Sequence, residues 1–384
     1  MKELNFEHEK KICHVDPFLS AKADGIYSHI KSLIQNVNPT FKHIIIFGGF
    51  IDAKRSLEEL GVKSYFVPEL EKKISFSVLF KLLNILRKEN VDIIHAHALK
   101  SYILCGIINI FLRKKMIYND HGVFIDSEYH NRLGKSLLLI LHRIINSSGS
   151  VDAFITPSKY CKKRLLTYTN FSTKIKVYSN GTELLPENNC DNELMRKINR
   201  LKEKNIIIGI VGRIAEEKRI DRNLMIINRL IKKGYMVHAF ILGDGPLWDV
   251  IDRLILDLRI EKDVSLLGYV KNAKAYFPSF DFILLTSDRE GMPLIVWEAM
   301  AQAVPIISTD VGGIREIIEA NNCGLIFSRE SINDGVNLCE KLINDPGLRK
   351  ELGKNGKNAI EKKYSMDNFK SFFNRLYFSL INAD

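Results

Sequence analysis

Residues 289–300 read REGMPLIVWEAM and set two acids, Glu290 and Glu298, on either side of a Gly-Met-Pro turn. A pair of carboxyls can act as acid and nucleophile on a glycosidic bond, but only when about 5–5.5 Å apart. Eight positions of even partly helical chain hold these two on the order of 10 Å apart or more. Between them Gly291 leaves the backbone open and Pro293 suits a first helical turn, so the amides of Gly291, Met292 and Leu294 are free to face an oxyanion. Two acids flanking free amides suit a ligand with a hydroxylated ring at each end and phosphate between, which is the shape of a sugar nucleotide. The plainer alternative is an acidic helix start, which explains Glu290 by the macrodipole alone.

Two cations stand in a comparable place. The apolar run IIIGIVGR ends in Gly212-Arg213, and Lys218 follows five positions later. A guanidinium presents a planar fork to phosphate oxygens and an ammonium a mobile point charge, so the two could clamp a diphosphate. Otherwise Arg213 is a helix-start residue and Lys218 a surface side chain paired with Glu216 or Glu217. The segment HAH at 95–97 invites a metal reading. It closes the strand-like run VDII, where alternation is expected to turn His95 and His97 to opposite faces, so no metal site is expected. A structural His95 and a cleft-lining His97 are the preferred reading. No D-x-D occurs, GDGPLW fits G-x-G-x-x-G poorly, and no G-x-S-x-G or Cys-His arrangement suggests acyl transfer.

These residues need elements that present them at strand ends. KICHV, HIIIFGG, SYFVP, VDIIHAHA, KMIYND and DAFITPS read as buried strands in the first half, with helices expected at 25–37, 76–89 and 98–113. IIIGIVGR, VHAFILGDG, VSLLGYV, FDFILLTS and VPIISTDVGG repeat the pattern in the second half. Alternating strands and helices predict an α/β protein with parallel sheets, whose ligands sit beyond the carboxyl ends of the strands. The polar stretch around 184–192 predicts a boundary. The expected domains are 1–186 and 187–365, and the aromatic segment 366–384 is expected to be a helix packing back on the first domain.

With 384 residues, 46% of them hydrophobic and 26% charged, the chain is large enough for two cores and has the composition of a soluble globular protein. The start MKELNFEHEKK lacks the apolar stretch of a signal peptide, and the run at 102–112 is too short to span a bilayer. Six cysteines without a C-x-x-C pair suit free thiols in a reducing cytosol. The net charge of +11 is concentrated in the first half, where about 27 Lys/Arg face about 18 Asp/Glu. No nucleic-acid motif accompanies it, so no nucleic-acid partner is expected. The clusters FLRKKM (111–116) and CKKRLL (161–166) suit docking at an anionic membrane surface, with solvated basic helix faces as an equal alternative.

EGMPLIVWE resembles the E-x7-E motif of the retaining GT-B glycosyltransferases, above all glycosyltransferase family 4. SNGTE (179–183), VGRIAEEK, ILGDGP (241–246), LLGYV (266–270) and STDVGGIREII (308–318) resemble that family's other landmarks in the expected order. The likeness spans most of the chain and is strongest over 206–327. It implies a GT-B fold of two Rossmann-like doubly wound domains facing across a cleft. The first would bind acceptor and the second the nucleotide-sugar. It further implies metal-independent transfer, without a cofactor, from a UDP-, GDP- or ADP-sugar to a glycan or lipid-linked acceptor. Polysaccharide or lipopolysaccharide synthesis at the cytosolic membrane face is the implied setting.

By the same resemblance Arg213, Lys218, Glu290 and His121 are catalytic. Glu298 holds the ribose, Gly291, Met292, Pro293 and Leu294 contact sugar and phosphate, and Leu267 and Gly268 frame the base. Gly212 and Gly243 belong to the donor loops, and Asp24, Gly25, His97 and Asn180 to the acceptor side. Asp24-Gly25 stands where the family often has Gly-Gly, Arg219 where it frequently has Gly, and Glu183 where Asp is usual. A sugar-nucleotide epimerase or hydrolase of the same fold, and a non-catalytic GT-B partner subunit, are the alternatives.

Overall fold

A computed structural model describes residues 9–20, 25–72, 74–122, 132–167, 174–178 and 191–382. The chain divides into two compact units, one of Met1–Ser179 with Asp367–Asp384 and the other of Asn180–Met366. Each is an α/β unit around one parallel sheet. Residues 24, 180 and 183, singled out in the sequence, lie outside the described residues.

The first unit carries β1 (Lys10–Leu19), β2 (Phe41–Gly49), β3 (Lys63–Phe66), β4 (Ile93–His97), β5 (Lys115–Asn119), β6 (Ala153–Thr156) and β7 (Ile175–Val177). Their order is β3-β2-β1-β4-β5-β6-β7 and every pairing is parallel. Strands covered on both faces read as continuous apolar runs, which is why they are visible in the sequence. β7 is not among the expected strands, because an Ile-Lys-Val triplet at a sheet edge has too little pattern to stand out. The helix Ala98–Leu112 follows β4 without a loop, and Ala98 makes that turn with a left-handed φ of 62°.

The last helix, Met366–Ile381, is part of this first unit. Its Phe369, Phe373 and Tyr377 are buried, with ring contacts to His29, Phe41, His95 and Tyr178 at 5.5–6.2 Å. Asn374 Oδ1 accepts from the Asn38 amide at 2.9 Å, which fixes the helix against the turn before β2.

The second unit carries β8 (Ile206–Val211), β9 (Val237–Leu242), β10 (Val264–Leu266), β11 (Phe282–Leu285), β12 (Ile306–Thr309) and β13 (Gly324–Phe327). The order is β10-β9-β8-β11-β12-β13, again all parallel. The sequence reading omits β13, whose Gly-Leu-Ile-Phe run is short and opens on glycine. Trp297 is wholly buried against Tyr364 at 4.6 Å and anchors the helix Leu294–Ala301 on the core. Strand order reverses between β1 and β4 in one sheet and between β8 and β11 in the other. At such a reversal the connections leave in opposite directions, and a crevice opens beyond the strand ends. Among the described residues no helix is long and apolar enough to cross a membrane.

Candidate active site

The second unit's crevice lies at the ends of β8 and β11. Gly212, after β8, donates its amide to Leu242 O at 3.0 Å, and Gly243, after β9, donates to Gly268 O at 2.8 Å. A Cβ on Gly243 would lie 1.8 Å from Gly212 O, so only glycine permits this approach. Three strand ends are thereby laced together, with Leu267 donating to Ile241 O at 3.0 Å. Gly268, at φ 74°, leaves the floor open except for Trp248, 3.7 Å from where a Cβ would stand. Arg213 projects from this rim as an exposed side chain, and no described residue takes its guanidinium in an ion pair or hydrogen bond.

Lys218 closes a short 3-10 turn, Glu216–Lys218. Its ammonium meets Glu290 Oε1 at 2.6 Å, not Glu216 or Glu217, which corrects the pairing weighed from sequence. Ser287 Oγ donates to the same oxygen at 2.7 Å. Both Lys218 and Glu290 are largely buried, so a charge-assisted contact here contributes about 1.5–3 kcal/mol.

A second ionic group sets the two loops in register. Arg219 Nη1 and Arg222 Nη2 each meet Asp288 at 2.9 Å, and the Asp288 amide donates to Glu217 O at 2.8 Å. Arg222 also donates to Thr286 O at 2.6 Å, while Thr286 Oγ1 donates to Arg219 O at 2.7 Å. Burial works against the Asp288 carboxylate, but the two arginines hold its pKa below the usual range. Arg219 sits at φ 50°, a left-handed position that glycine occupies at no cost and a side chain at about 1–2 kcal/mol. Its pairs with Asp221 and Asp288 offset that strain, so an arginine can stand where the family frequently has glycine.

The helix after β11 begins at Leu294, with Pro293 as its extended cap rather than its first helical residue. No described residue accepts from the amides of Gly291 and Met292. The carbonyls are tied down instead, since Gly313 donates to Gly291 O at 2.9 Å. Gly312, at φ 58°, lies so near that a Cβ would be 2.1 Å from Glu290 O. Glu298, one turn into the helix, is half-buried, and desolvation pushes its carboxyl up despite Lys274. The β8/β11 reversal therefore brings Lys218 to Glu290, with Arg213 just beyond the end of β8, Gly291 and Met292 following Glu290, and Glu298 on the helix after them. Ser287, Asp288, Arg222 and Gly312 were not singled out from the sequence. Of these, only the Gly-Gly of DVGG carried a local signal.

In the first unit Gly25 opens the helix Gly25–Asn36, and His97 and His121 stand at the ends of β4 and β5. His97 Nδ1 lies 3.1 Å from His121 Nε2. The expected divergence of His95 and His97 is wrong. Residues two apart on a strand share a face, and these rings stack at 4.4 Å with 25° between their planes. His14 of β1, registered against His95, joins them. Burial drives the pKa of His14, His95, His97 and His121 well down, and that of His43 down to about 4, so these imidazoles are neutral.

Comparison with known proteins is consistent across both units. Residues 43–184 match the model of Glycosyltransferase Family 4, and residues 191–359 that of Glycosyl transferases group 1. The capsular polysaccharide biosynthesis glycosyltransferase CapM of Staphylococcus aureus is 26% identical, covering 75% of this chain and 76% of its own. The O-antigen biosynthesis glycosyltransferase WbnH of Escherichia coli is 27% identical, over 77% and 81%. Anabaena HepE, solved with UDP and glucose, superposes with a TM-score of 0.80 over 96% of this chain and 100% of its own, at 16% identity.

The burial of Glu298 has a testable sign. An acid whose folded pKa is raised destabilises the fold as pH climbs above its ordinary range. Glu298→Gln is expected to melt above wild type at pH 8 and level with it near pH 4. A variant that melts below wild type at every pH would contradict this.

Proposed function

Because the chain belongs to the GT-B glycosyltransferases, with a family 4 first domain and a group 1 second domain, we propose that it is a retaining, metal-independent enzyme. It moves a sugar from a nucleotide donor to a glycan or lipid-linked acceptor in cell-surface polysaccharide or lipopolysaccharide synthesis. The donor is a UDP-, GDP- or ADP-sugar, and the likeness to HepE, solved with UDP, puts the uridine nucleotide first. The observation that carries the reading is the array at the β8/β11 reversal, in which Lys218, Ser287 and Glu290 are locked together and the exposed Arg213 after β8 has no partner among the described residues.

Transfer breaks the bond between the sugar's anomeric carbon and the diphosphate, so charge accumulates on phosphate oxygens as the ring becomes oxocarbenium-like. Arg213 meets that charge with its unengaged fork. Lys218 has three N–H donors and spends one on Glu290, which leaves two for phosphate. The amides of Gly291 and Met292 add donors that need no reorganisation when charge develops. Glu290, oriented through one oxygen by Lys218 and Ser287, keeps its other oxygen for a hydroxyl of the transferred sugar. Glu298 accepts from the ribose, and the backbone at Leu267 and Gly268 borders the base. Cations and amides offset the leaving diphosphate, so added Mg2+ or Mn2+ leaves the rate unchanged. The first domain takes the acceptor, with Gly25 at the start of its first helix and His121 just beyond β5, while the wholly buried His97 holds the His121 ring rather than the acceptor itself.

We place the enzyme at the cytosolic face of an anionic membrane. The helix Arg132–Ser147 exposes Leu137, Ile140 and Ile144 as one stripe, and Gly106 of the neighbouring helix packs on its Ile145. Exposed Phe111 lies in the last turn of that neighbour, and the cations Arg113, Lys114 and Lys115 follow its end. This combination of apolar stripe and basic rim suits the interface of a charged bilayer.

Arg213→Ala and Glu290→Ala are each expected to lower transfer by about 100-fold or more with the fold intact by circular dichroism. Near-normal turnover of either variant with the donor found in a thermal-shift panel of UDP-, GDP- and ADP-sugars would sink the assignment. The membrane placement is checked by flotation with vesicles containing anionic lipid. Wild type should float and a Leu137→Ser/Ile144→Ser variant should not. Equal recovery of the two would remove the stripe from the account.

A further inference from the structure

We propose that the first unit holds a zinc ion on His14, His95 and His97, a site independent of the donor-binding loops. All three side chains are 0% exposed. They come from the two strands at the centre of the sheet: His14 of β1 is paired with His95 of β4, and His97 lies two residues further along the same face. One ring nitrogen from each lies within 4.8 Å of the other two. Zinc–imidazole bonds of about 2.0–2.1 Å place ligand nitrogens roughly 3.3 Å apart in a tetrahedral site. His14 Nδ1 and His97 Nε2 are already 3.0 Å apart, so closing the site from within 4.8 Å asks for up to about 1.5 Å of movement from His95.

The far nitrogens make the stronger argument. A ligating imidazole uses one nitrogen for the metal and donates its other N–H to an outer partner, which fixes ring and tautomer. Each of the three has such a partner. His14 Nε2 lies 2.9 Å from His43 Nδ1, His97 Nδ1 lies 3.1 Å from His121 Nε2, and His95 Nδ1 lies 2.9 Å from the Tyr377 hydroxyl. Asn119 Nδ2 stands 3.0 Å from His121 Nε2 and donates to it. That nitrogen therefore carries no proton, His97 must donate from Nδ1, and His97 Nε2 is an unprotonated acceptor facing the cluster, where in the ion's absence it takes the His14 Nδ1 proton at 3.0 Å. His95 Nε2 is buried with no hydrogen-bond partner among the described residues, a group that costs about 1–3 kcal/mol to leave unsatisfied. An ion between the three rings takes up both lone pairs.

The ligand set chooses the metal. Three neutral imidazoles with neither carboxylate nor thiolate reject Mg2+ and Ca2+, which require oxygen, and suit zinc. Protons balance without net release: on binding, the His14 proton moves from Nδ1 to Nε2 and is donated to His43 Nδ1, the His43 proton moves to its Nε2, and His95 and His97 keep theirs on Nδ1. Three protein ligands leave a fourth tetrahedral position on the ion. Through Tyr377 the site also ties the last helix to the middle of the sheet.

The test is metal content of the full-length protein, expressed with added zinc, desalted and measured by mass spectrometry. About one zinc per chain is expected in wild type. His95→Asn should hold less than a tenth of that, while His238→Asn, altered in the second unit, should hold the wild-type amount. If His95→Asn does not fold, Tyr377→Phe decides, because it keeps the ring packing and removes the outer acceptor. It should bind zinc about 10–100-fold more weakly in a chelator competition. Cobalt-loaded wild type should show the intense visible absorption of a tetrahedral site. Zinc-free wild type whose melting point does not rise with added zinc would overturn the proposal. So would zinc retained undiminished by both variants.

Discussion

One carboxylate shared by two arginines sets the geometry of the second unit's crevice. Asp288 receives Arg219 and Arg222, and its own amide reaches back to Glu217, so the loop after β11 cannot move without the loop after β8. That coupling brings Lys218 to Glu290 across 72 positions of sequence, at 2.6 Å. Removing a partner from a part-buried ionic group leaves charge without compensation, which costs far more than an exposed pair contributes. Lys218 and Glu290, which we propose face the donor, therefore rest on a network that need not touch it.

Glycine supplies the other half of this constraint. Gly243 lets the β9 end pass directly over Gly212, and Gly312 lets the β12 loop reach the Glu290 carbonyl. Both approaches fix where backbone groups lie, and no described residue accepts from the amides of Gly291 and Met292. Arg213, Lys218 and Glu290 are thus displayed by a frame made largely of backbone contacts and buried ion pairs. Such a frame can remain while peripheral loops change with donor and acceptor.

Much of this could be read from the sequence, and the reasons for success and failure are physical. Buried parallel strands write continuous apolar runs, so β1, β2, β4, β8, β9, β11 and β12 were all visible, while the short edge strands β7 and β13 were not. Arg213, Lys218, Glu290 and Glu298 could be singled out because they follow such runs at telling spacings. Their partners could not: Ser287 and Asp288 look like ordinary loop residues until the sheet order brings β8 beside β11. His95 and His97 were assigned to opposite faces although strand periodicity puts them on one. His14, His29 and His43 meet them only through sheet register and the packing of a helix, which local pattern does not encode.

Hydrogen exchange of the full-length protein with and without its nucleotide-sugar tests the central claim most directly, because it reads the backbone of each loop separately. The account predicts protection confined, within the second unit, to the segments around 212–218, 243–247, 267–268 and 287–298, with the Gly291 and Met292 amides among the most protected. Protection absent from 287–298, or concentrated on the opposite ends of the strands, would contradict it.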